Sequence, residues 1–493
     1  MILKLHFFQN ALVWILQKRY ATLRTLYEYN PNISDKPSIP LDQALVLYFP
    51  GPNSFSGEDI VELHTHGSRA VVSDVLNTLS TLPSIEMYKK ETLEKVTKPQ
   101  SQFLLRPADR GEFTQRAYTN GKLGLVEVEA LADLITSDTT MQRRQALLQL
   151  DGRVTKVYDE WRKQLIAGLA HSEAVIDFGD DEDLLGDDNF DDNENISGES
   201  LVWGNVRNQI FNLLKHMNQF LQDDRRGEIV RDGVRIAIVG PPNAGKSSLL
   251  NLLARRNVAI VSPIAGTTRD VVEVVLDLGG VRCILSDTAG LRAETDGDVI
   301  EEEGIRRATK VAKEAHVILF MEDALIQKSD ELTPSIEEIV GLDQNNSMFN
   351  GIMIKVKNKI DLLDSAQRSS LNNKRDKSIE ILDFGISCST GLGVDVLLDQ
   401  LEKVVISRVS SSSSSSSIDD GLIITRARHR RHIIEAEAAL SRFMQLTETD
   451  DLMTIDLAAE ELRLAASAIG RITGAVDVEE VLDVLFADFC IGK

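Results

Sequence analysis

The sequence predicts a multidomain α/β protein in which an α/β domain is inserted into a helical domain and a smaller α+β domain comes first. Three observations predict it. Between Val234 and about Val405, strand-like runs (Val234 to Val239, Val271 to Leu278, Arg282 to Ser286, Val317 to Met321 and Gly351 to Val356) alternate with helical stretches, which implies a parallel sheet covered by helices. The flanking segments, from Gly124 to about Leu221 and from the end of a serine tract to the C-terminus, are helical in pattern. The first 120 residues instead carry short apolar runs, Ala44 to Phe49 and Ile60 to Leu63, broken by Gly and Pro. The expected boundaries are 1–120 for the N-terminal domain, 121–228 for the first helical part and 229–408 for the α/β domain. A Ser-rich linker, 409–420, then leads into a second helical part, 421–493.

Composition narrows the function classes. The 493 residues include 54 Lys and Arg against 76 Asp and Glu, a net charge of −22. That argues against binding nucleic acid through a uniformly basic surface, while leaving room for a local basic groove. Three distant cysteines, Cys283, Cys388 and Cys490, do not suggest a disulfide scaffold or a Cys-rich zinc site. No apolar run reaches the roughly 18–20 residues of a spanning helix, so no membrane partner is expected. Twelve acidic residues and no Lys or Arg lie between Glu173 and Glu199. This stretch reads as a solvated loop, with a docking or RNA-repelling surface as the alternative. Arg426, Arg428, Arg430 and Arg431, with His429 and His432, form the most basic cluster. It reads either as a charged helix face or as a patch turned towards RNA.

Gly240-Pro-Pro-Asn243-Ala244-Gly245-Lys246-Ser247 follows a strand and precedes a helical run, Ser248 to Arg256. This is the phosphate-loop pattern: backbone amides cradle phosphates at a helix N-terminus, Lys246 neutralises the outer phosphates and Ser247 ligates Mg²⁺. Downstream come Gly266-Thr267-Thr268, with a threonine suited to Mg²⁺, and Asp287-Thr288-Ala289-Gly290, whose aspartate suits the metal's water shell. Asn358-Lys359-Ile360-Asp361 offers a carboxylate to N1–H and the 2-amino group of guanine, whereas adenine would leave it buried and unpaired. Ser387-Cys388-Ser389 is placed to close over the base. In this order the strings specify a P-loop GTPase domain that binds GTP. Leu291, where some GTPases carry a water-orienting glutamine, cannot activate water. Glu301, Glu302 and Glu303 are the nearby candidates, and the acidic first turn of a helix is the other reading of them.

Further strings are more specific. Gly51-Pro-Asn-Ser-Phe-Ser-Gly-Glu-Asp59 with Glu62-Leu-His-Thr-His-Gly67, Gly111-Glu-Phe-Thr114 with Asn120-Gly-Lys122, and the terminal Cys490-Ile-Gly-Lys493 resemble the MnmE/TrmE family of tRNA-modifying GTPases, including its mitochondrial members. The resemblance implies an N-terminal α+β folate-binding-type domain that forms a homodimer, and a discontinuous helical domain carrying the GTPase domain. It implies modification of C5 of the wobble uridine in certain tRNAs, with an MnmG/GidA-type partner that carries FAD. A 5-formyl- or methylene-tetrahydrofolate would supply one carbon, bound by Glu62, Lys122 and Lys493. Asn243, Ser262, Ile264 and Thr267 would hold K⁺ against the phosphates, and alignment on Gly304 puts the catalytic glutamate on Glu301. Cys490 lies in the signature tail, with a chemical role and a structural one both open. The family's glycine-rich opening segment with a folate-contacting arginine is absent from residues 1–19. Lys4, Lys18, Arg19 and Arg24 precede the first acid, Glu28, as a mitochondrial presequence would; a bacterial member would be cytoplasmic. A ribosome-assembly GTPase that binds rRNA without modification chemistry is the alternative. It explains the nucleotide motifs but not the tail or the Gly51 to Asp59 block.

Overall fold

A computed structural model describes residues 2–6, 17–28, 39–81, 106–178, 198–223, 225–260, 273–287, 310–325, 351–364, 381–410, 424–448, 454–476, 482 and 486. The chain divides into two compact units, Met1–Ala132 with Gly470–Lys493, and Asp133–Ile469.

In the first unit, β1 (Ile2–His6), β2 (Thr22–Tyr27), β3 (Pro40–Phe49) and β4 (Ile60–His64) form an antiparallel sheet in the order β1-β4-β3-β2. Strand periodicity sets its faces: Ala44, Val46 and Tyr48 of β3 are buried while Leu45 is exposed. Val46, Tyr48, Val61 and Leu63 form a core with Val75 of α1 (Arg69–Thr81). α2 (Glu112–Thr119) and α3 (Leu125–Ile135) follow. The loop between β3 and β4 is closed by Gly51 N donating to Asp59 Oδ1 at 2.8 Å, and is tied to the end of α2 by Asn120 Nδ2 donating to Ser56 O at 2.8 Å.

The second unit opens with α4 (Thr140–Leu150), α5 (Arg153–Phe178), α6 (Gly198–Leu221) and α7 (Arg226–Asp232). Thr139 and Gln142 form a capping box that starts α4. Fully buried Tyr158 and Trp161 of α5 meet Phe220 of α6 edge-on, with ring centroids 6.2 and 5.3 Å apart. Of the acidic stretch, Glu173 lies in α5 and pairs with Arg463, whereas 179–197 lies outside the described residues.

A six-stranded sheet comes next: β5 (Val234–Val239), β6 (Glu273–Leu278), β7 (Val281–Asp287), β8 (Val317–Asp323), β9 (Ile352–Asn358) and β10 (Ile381–Gly385), in the order β10-β9-β8-β5-β7-β6. Both faces are covered at the centre of the sheet, so Ile236 to Val239 of β5 and Val317 to Met321 of β8 are continuous apolar, buried runs. Ile236 and Ile238 of β5 join a core with Leu249 and Leu253 of α8 (Lys246–Ala254) and Leu397 and Leu401 of α9 (Val394–Val409). Ala237 and Val239 point to the opposite core with Ile318 and Phe320. The sheet is not wholly parallel, which corrects the expectation from alternation alone: β6 runs antiparallel to β7. Gly279 and Gly280, at φ 62 and 84, supply the paired left-handed residues of a tight hairpin turn. The helix after the phosphate loop starts at Lys246, two residues before the expected Ser248.

The unit closes with α10 (Ala427–Leu446) and α11 (Ile455–Thr473), the latter reaching the first unit's sequence. α10 changes the reading of the basic cluster. Arg430 is buried, bonded to Asp223 and Glu228 at 2.5 Å each, and Arg426 bonds Asp133 at 2.8 Å. His429 and His432 are buried as well. Arg426 and Arg430 neutralise internal carboxylates, whereas Arg431 is exposed beside Glu435, so only part of the cluster lies on a solvated helix face. Among the described residues, no helix is long and apolar enough to cross a membrane.

Candidate functional site

The phosphate loop lies between the end of β5 and the start of α8. Gly240 has φ 153, and a Cβ there would fall 2.1 Å from Met321 O. Gly245 has φ 98, and a Cβ there would fall 2.2 Å from Asn358 Nδ2. Glycine is thus required twice, for conformation and for close approach. Asn243 is left-handed at φ 62 and exposed, and Ala244 is buried. Ser248 is exposed in the first turn of α8.

Lys246 is buried, with Nζ donating to Gly240 O and Pro241 O at 2.8 Å each. Burial pulls its pKa below the usual lysine range, and the nearby Asp287 carboxylate opposes that shift. An ammonium removed from water beside a turn of inward amides is set to receive anionic oxygens. Ser247 Oγ donates to Asp287 Oδ2 at 2.6 Å. Asp287 is buried at the end of β7, so the predicted Mg²⁺ hydroxyl and the predicted water-shell carboxylate are in contact. A compact oxygen pair of this kind fits a hard divalent cation.

Asn358 ties three motifs together. Its Nδ2 donates to Ala244 O at 2.9 Å and its Oδ1 accepts Cys388 N–H at 3.1 Å. Lys359 follows in the left-handed region at φ 66. Ser389 Oγ donates to Asp361 Oδ2 at 3.2 Å, and Ser387 Oγ, fully buried, accepts Thr390 N–H at 3.2 Å. Burial, followed by the charge of Asp361, raises the Cys388 thiol to about 11, so this cysteine serves through its backbone and not as a thiolate.

The structure therefore gathers Gly240, Asn243, Ala244, Gly245, Lys246, Ser247, Ser248, Asp287, Asn358, Lys359, Asp361, Ser387 and Cys388 at one end of the sheet. Ser262, Ile264, Thr267, Thr268, Thr288, Ala289, Gly290, Glu301, Cys490 and Lys493 lie outside the described residues. Sequence reasoning missed Asp323, which accepts Lys359 Nζ at 2.6 Å. It belongs to no motif, and its only signal is its place at the end of a strand.

In the first unit, Glu62 sits on β4 with Oε2 3.4 Å from His64 Nε2, and exposed Lys122 lies against Gly57. Beside them is an ion network that the motif strings did not reveal. Arg116 bonds Glu112 at 2.6 Å and Glu58 at 2.9 Å, and Arg106 bonds Glu112 at 2.9 Å. Burial would raise the Glu112 pKa, but bonds from Arg116, the Asp109 amide and Arg106 outweigh it and hold the carboxyl at about 2.

Fold and site together define a P-loop domain of the GTPase type. The MnmE helical domain model matches residues 125–490, and the model of the GTP-binding protein TrmE N-terminus matches residues 5–122. The tRNA modification GTPase MnmE of Parvibaculum lavamentivorans is 43% identical over 455 residues, covering 92% of this chain and 87% of that one. The mitochondrial 5-taurinomethyluridine tRNA synthase subunit GTPB3 of Homo sapiens is 42% identical over 482 residues, covering 96% and 85%. The chain belongs to the MnmE/TrmE family of tRNA modification GTPases. The ribosome-assembly alternative gives way to that membership.

Proposed function

We propose that this chain couples GTP hydrolysis to modification of C5 of the wobble uridine in certain tRNAs, as a homodimer working with an FAD-carrying partner of the MnmG/GidA type. The single observation that supports the coupling most is the Ser247–Asp287 contact. It joins the phosphate loop to the strand that leads into the γ-phosphate-sensing segment, in a chain similar over nine-tenths of its length to tRNA-modifying relatives.

The chain's own residues then divide the work. Lys246 leaves the loop carbonyls for the β- and γ-phosphates. Ser247 and Thr268 would hold Mg²⁺, and Asp287, bonded to Ser247 Oγ, would accept hydrogen bonds from its water. Asp361 reads guanine, and Ser387 and the Cys388 amide close the base pocket. Asn243, Ser262, Ile264 and Thr267 would hold K⁺, which would supply there the kind of positive charge that an arginine finger supplies elsewhere. Glu301 orients the attacking water, a task Leu291 cannot perform. Glu62, Lys122 and Lys493 would hold a tetrahydrofolate, whose chemistry would be supply of the one-carbon unit. The similarity to the mitochondrial GTPB3 subunit of Homo sapiens is compatible with a mitochondrial site of action.

Mass spectrometry of wobble nucleosides from organellar and cytosolic tRNA tests this reading after deletion of the gene. Loss of a C5 substituent that the wild-type gene restores and Lys246→Ala does not is the expected result. An unchanged nucleoside profile would overturn it.

A further inference from the structure

Asp323 ends β8, where the register sets it beside Asn358, the last residue of β9. Its two carboxylate oxygens have different tasks. Oδ1 accepts the Leu325 amide at 3.0 Å, which turns the chain out of the strand. Oδ2 accepts Lys359 Nζ at 2.6 Å. The turn is satisfied by the first oxygen alone, so the second is surplus to the local fold.

Lys359 is where a hold is needed. It is one of four described non-glycine residues with positive φ, a conformation that L side chains adopt at a cost. It also stands between Asn358, which binds the phosphate loop, and Asp361, which accepts Ser389 Oγ and is the carboxylate proposed above to read guanine. The Asp323 side chain is 13% exposed and that of Lys359 34%, so the pair is partly shielded from water. Ala324 N–H donates to Asn358 O at 2.9 Å, so the same strand end grips the turn through its backbone as well.

We infer that Asp323 is a positioning residue for guanine recognition: by holding Lys359 it fixes the left-handed turn that presents Asp361 to the base. The inference rests on the reading of this site as a guanine nucleotide site.

Asp323→Asn separates the two tasks. The asparagine oxygen still accepts the Leu325 amide, but its NH₂ group now faces the ammonium, donor against donor. In the full-length protein, GTP affinity is expected to fall about tenfold, the equivalent of about 1.4 kcal/mol. The preference for GTP over inosine triphosphate is expected to fall with it, because the 2-amino group is the contact that a displaced Asp361 loses. In a Lys359→Ala background the same substitution should have no further effect. Unchanged GTP affinity and GTP-to-inosine-triphosphate ratio in Asp323→Asn, or full additivity with Lys359→Ala, would overturn the inference. Should Asp323→Asn fail to fold by circular dichroism, Lys359→Met cuts the same bond from the other side, and an unchanged ratio there would overturn it equally. A wild-type protein that does not prefer GTP to ATP would instead overturn the reading of the site itself.

Discussion

The contact between Gly245 and Asn358 offers a quantitative check on the nucleotide site. A methyl group added at Gly245 would fall 2.2 Å from Asn358 Nδ2, so the asparagine must move. Moving it breaks the bonds to Ala244 O and from Cys388 N–H, at 2.9 and 3.1 Å. Each bond contributes about 1 kcal/mol net, and leaving its buried partner unpaired costs about 1–3 kcal/mol. The φ of 98 adds a separate strain of about 1–2 kcal/mol for any side chain. Gly245→Ala should therefore cost about 3–5 kcal/mol in the wild-type background. With Asn358→Ala already present, only the backbone strain of about 1–2 kcal/mol should remain. The coupling between the two sites is then about 2 kcal/mol, well above the scatter expected of independent positions. Urea titration of the four proteins, followed by hydrogen exchange at β5 and β9 amides, reads the cost in this sheet. Additive costs, with coupling under about 0.5 kcal/mol, would refute the reasoning.

Other consequences are as direct. The Glu112 carboxyl titrates at about 2 in the folded chain against an ordinary value of 4.5, so its stabilisation is complete above about 4.5 and fades as pH falls towards 2. It amounts to about 3 kcal/mol at neutral pH; the melting difference between wild type and Glu112→Gln should close on acidification, and a gap constant from pH 7 to 2.5 would contradict the network. Arg430→Met leaves Asp223 and Glu228 buried without their partner and should cost about 3–5 kcal/mol in thermal unfolding. A loss under about 1 kcal/mol would show that Arg430 faces water after all. GTP turnover should be faster in K⁺ than in Na⁺, and Glu301→Ala should keep GTP affinity while losing turnover by about a hundredfold or more. Equal rates in the two salts would remove the cation from the mechanism, and a silent Glu301→Ala beside a dead Glu302→Ala would move the assignment by one residue.

Local chemistry was legible in the sequence, and partnership was not. The phosphate loop could be read because Gly240, Gly245, Lys246 and Ser247 act through their own backbone and immediate neighbours. The six-residue strand before it was legible for the same reason, since its apolar run needs cover on both faces. The hairpin of β6 and β7 was written in Gly279-Gly280, but alternation of strands and helices outweighed that signal. Arg430 reads as surface charge until Asp223 and Glu228, some two hundred residues earlier, are folded against it. Asp323 has the same difficulty: its worth depends on Lys359, brought to it by the register of two neighbouring strands and by no spacing in the chain. The Glu58–Arg116–Glu112 network joins two strings that each looked like an isolated motif.

Hydrolysis of GTP and of ATP by the purified full-length protein, with and without Mg²⁺, tests the central claim most directly. The expected result is Mg²⁺-dependent cleavage of GTP alone, abolished in Lys246→Ala. Comparable cleavage of ATP, or GTP cleavage that survives the loss of Lys246, would contradict it.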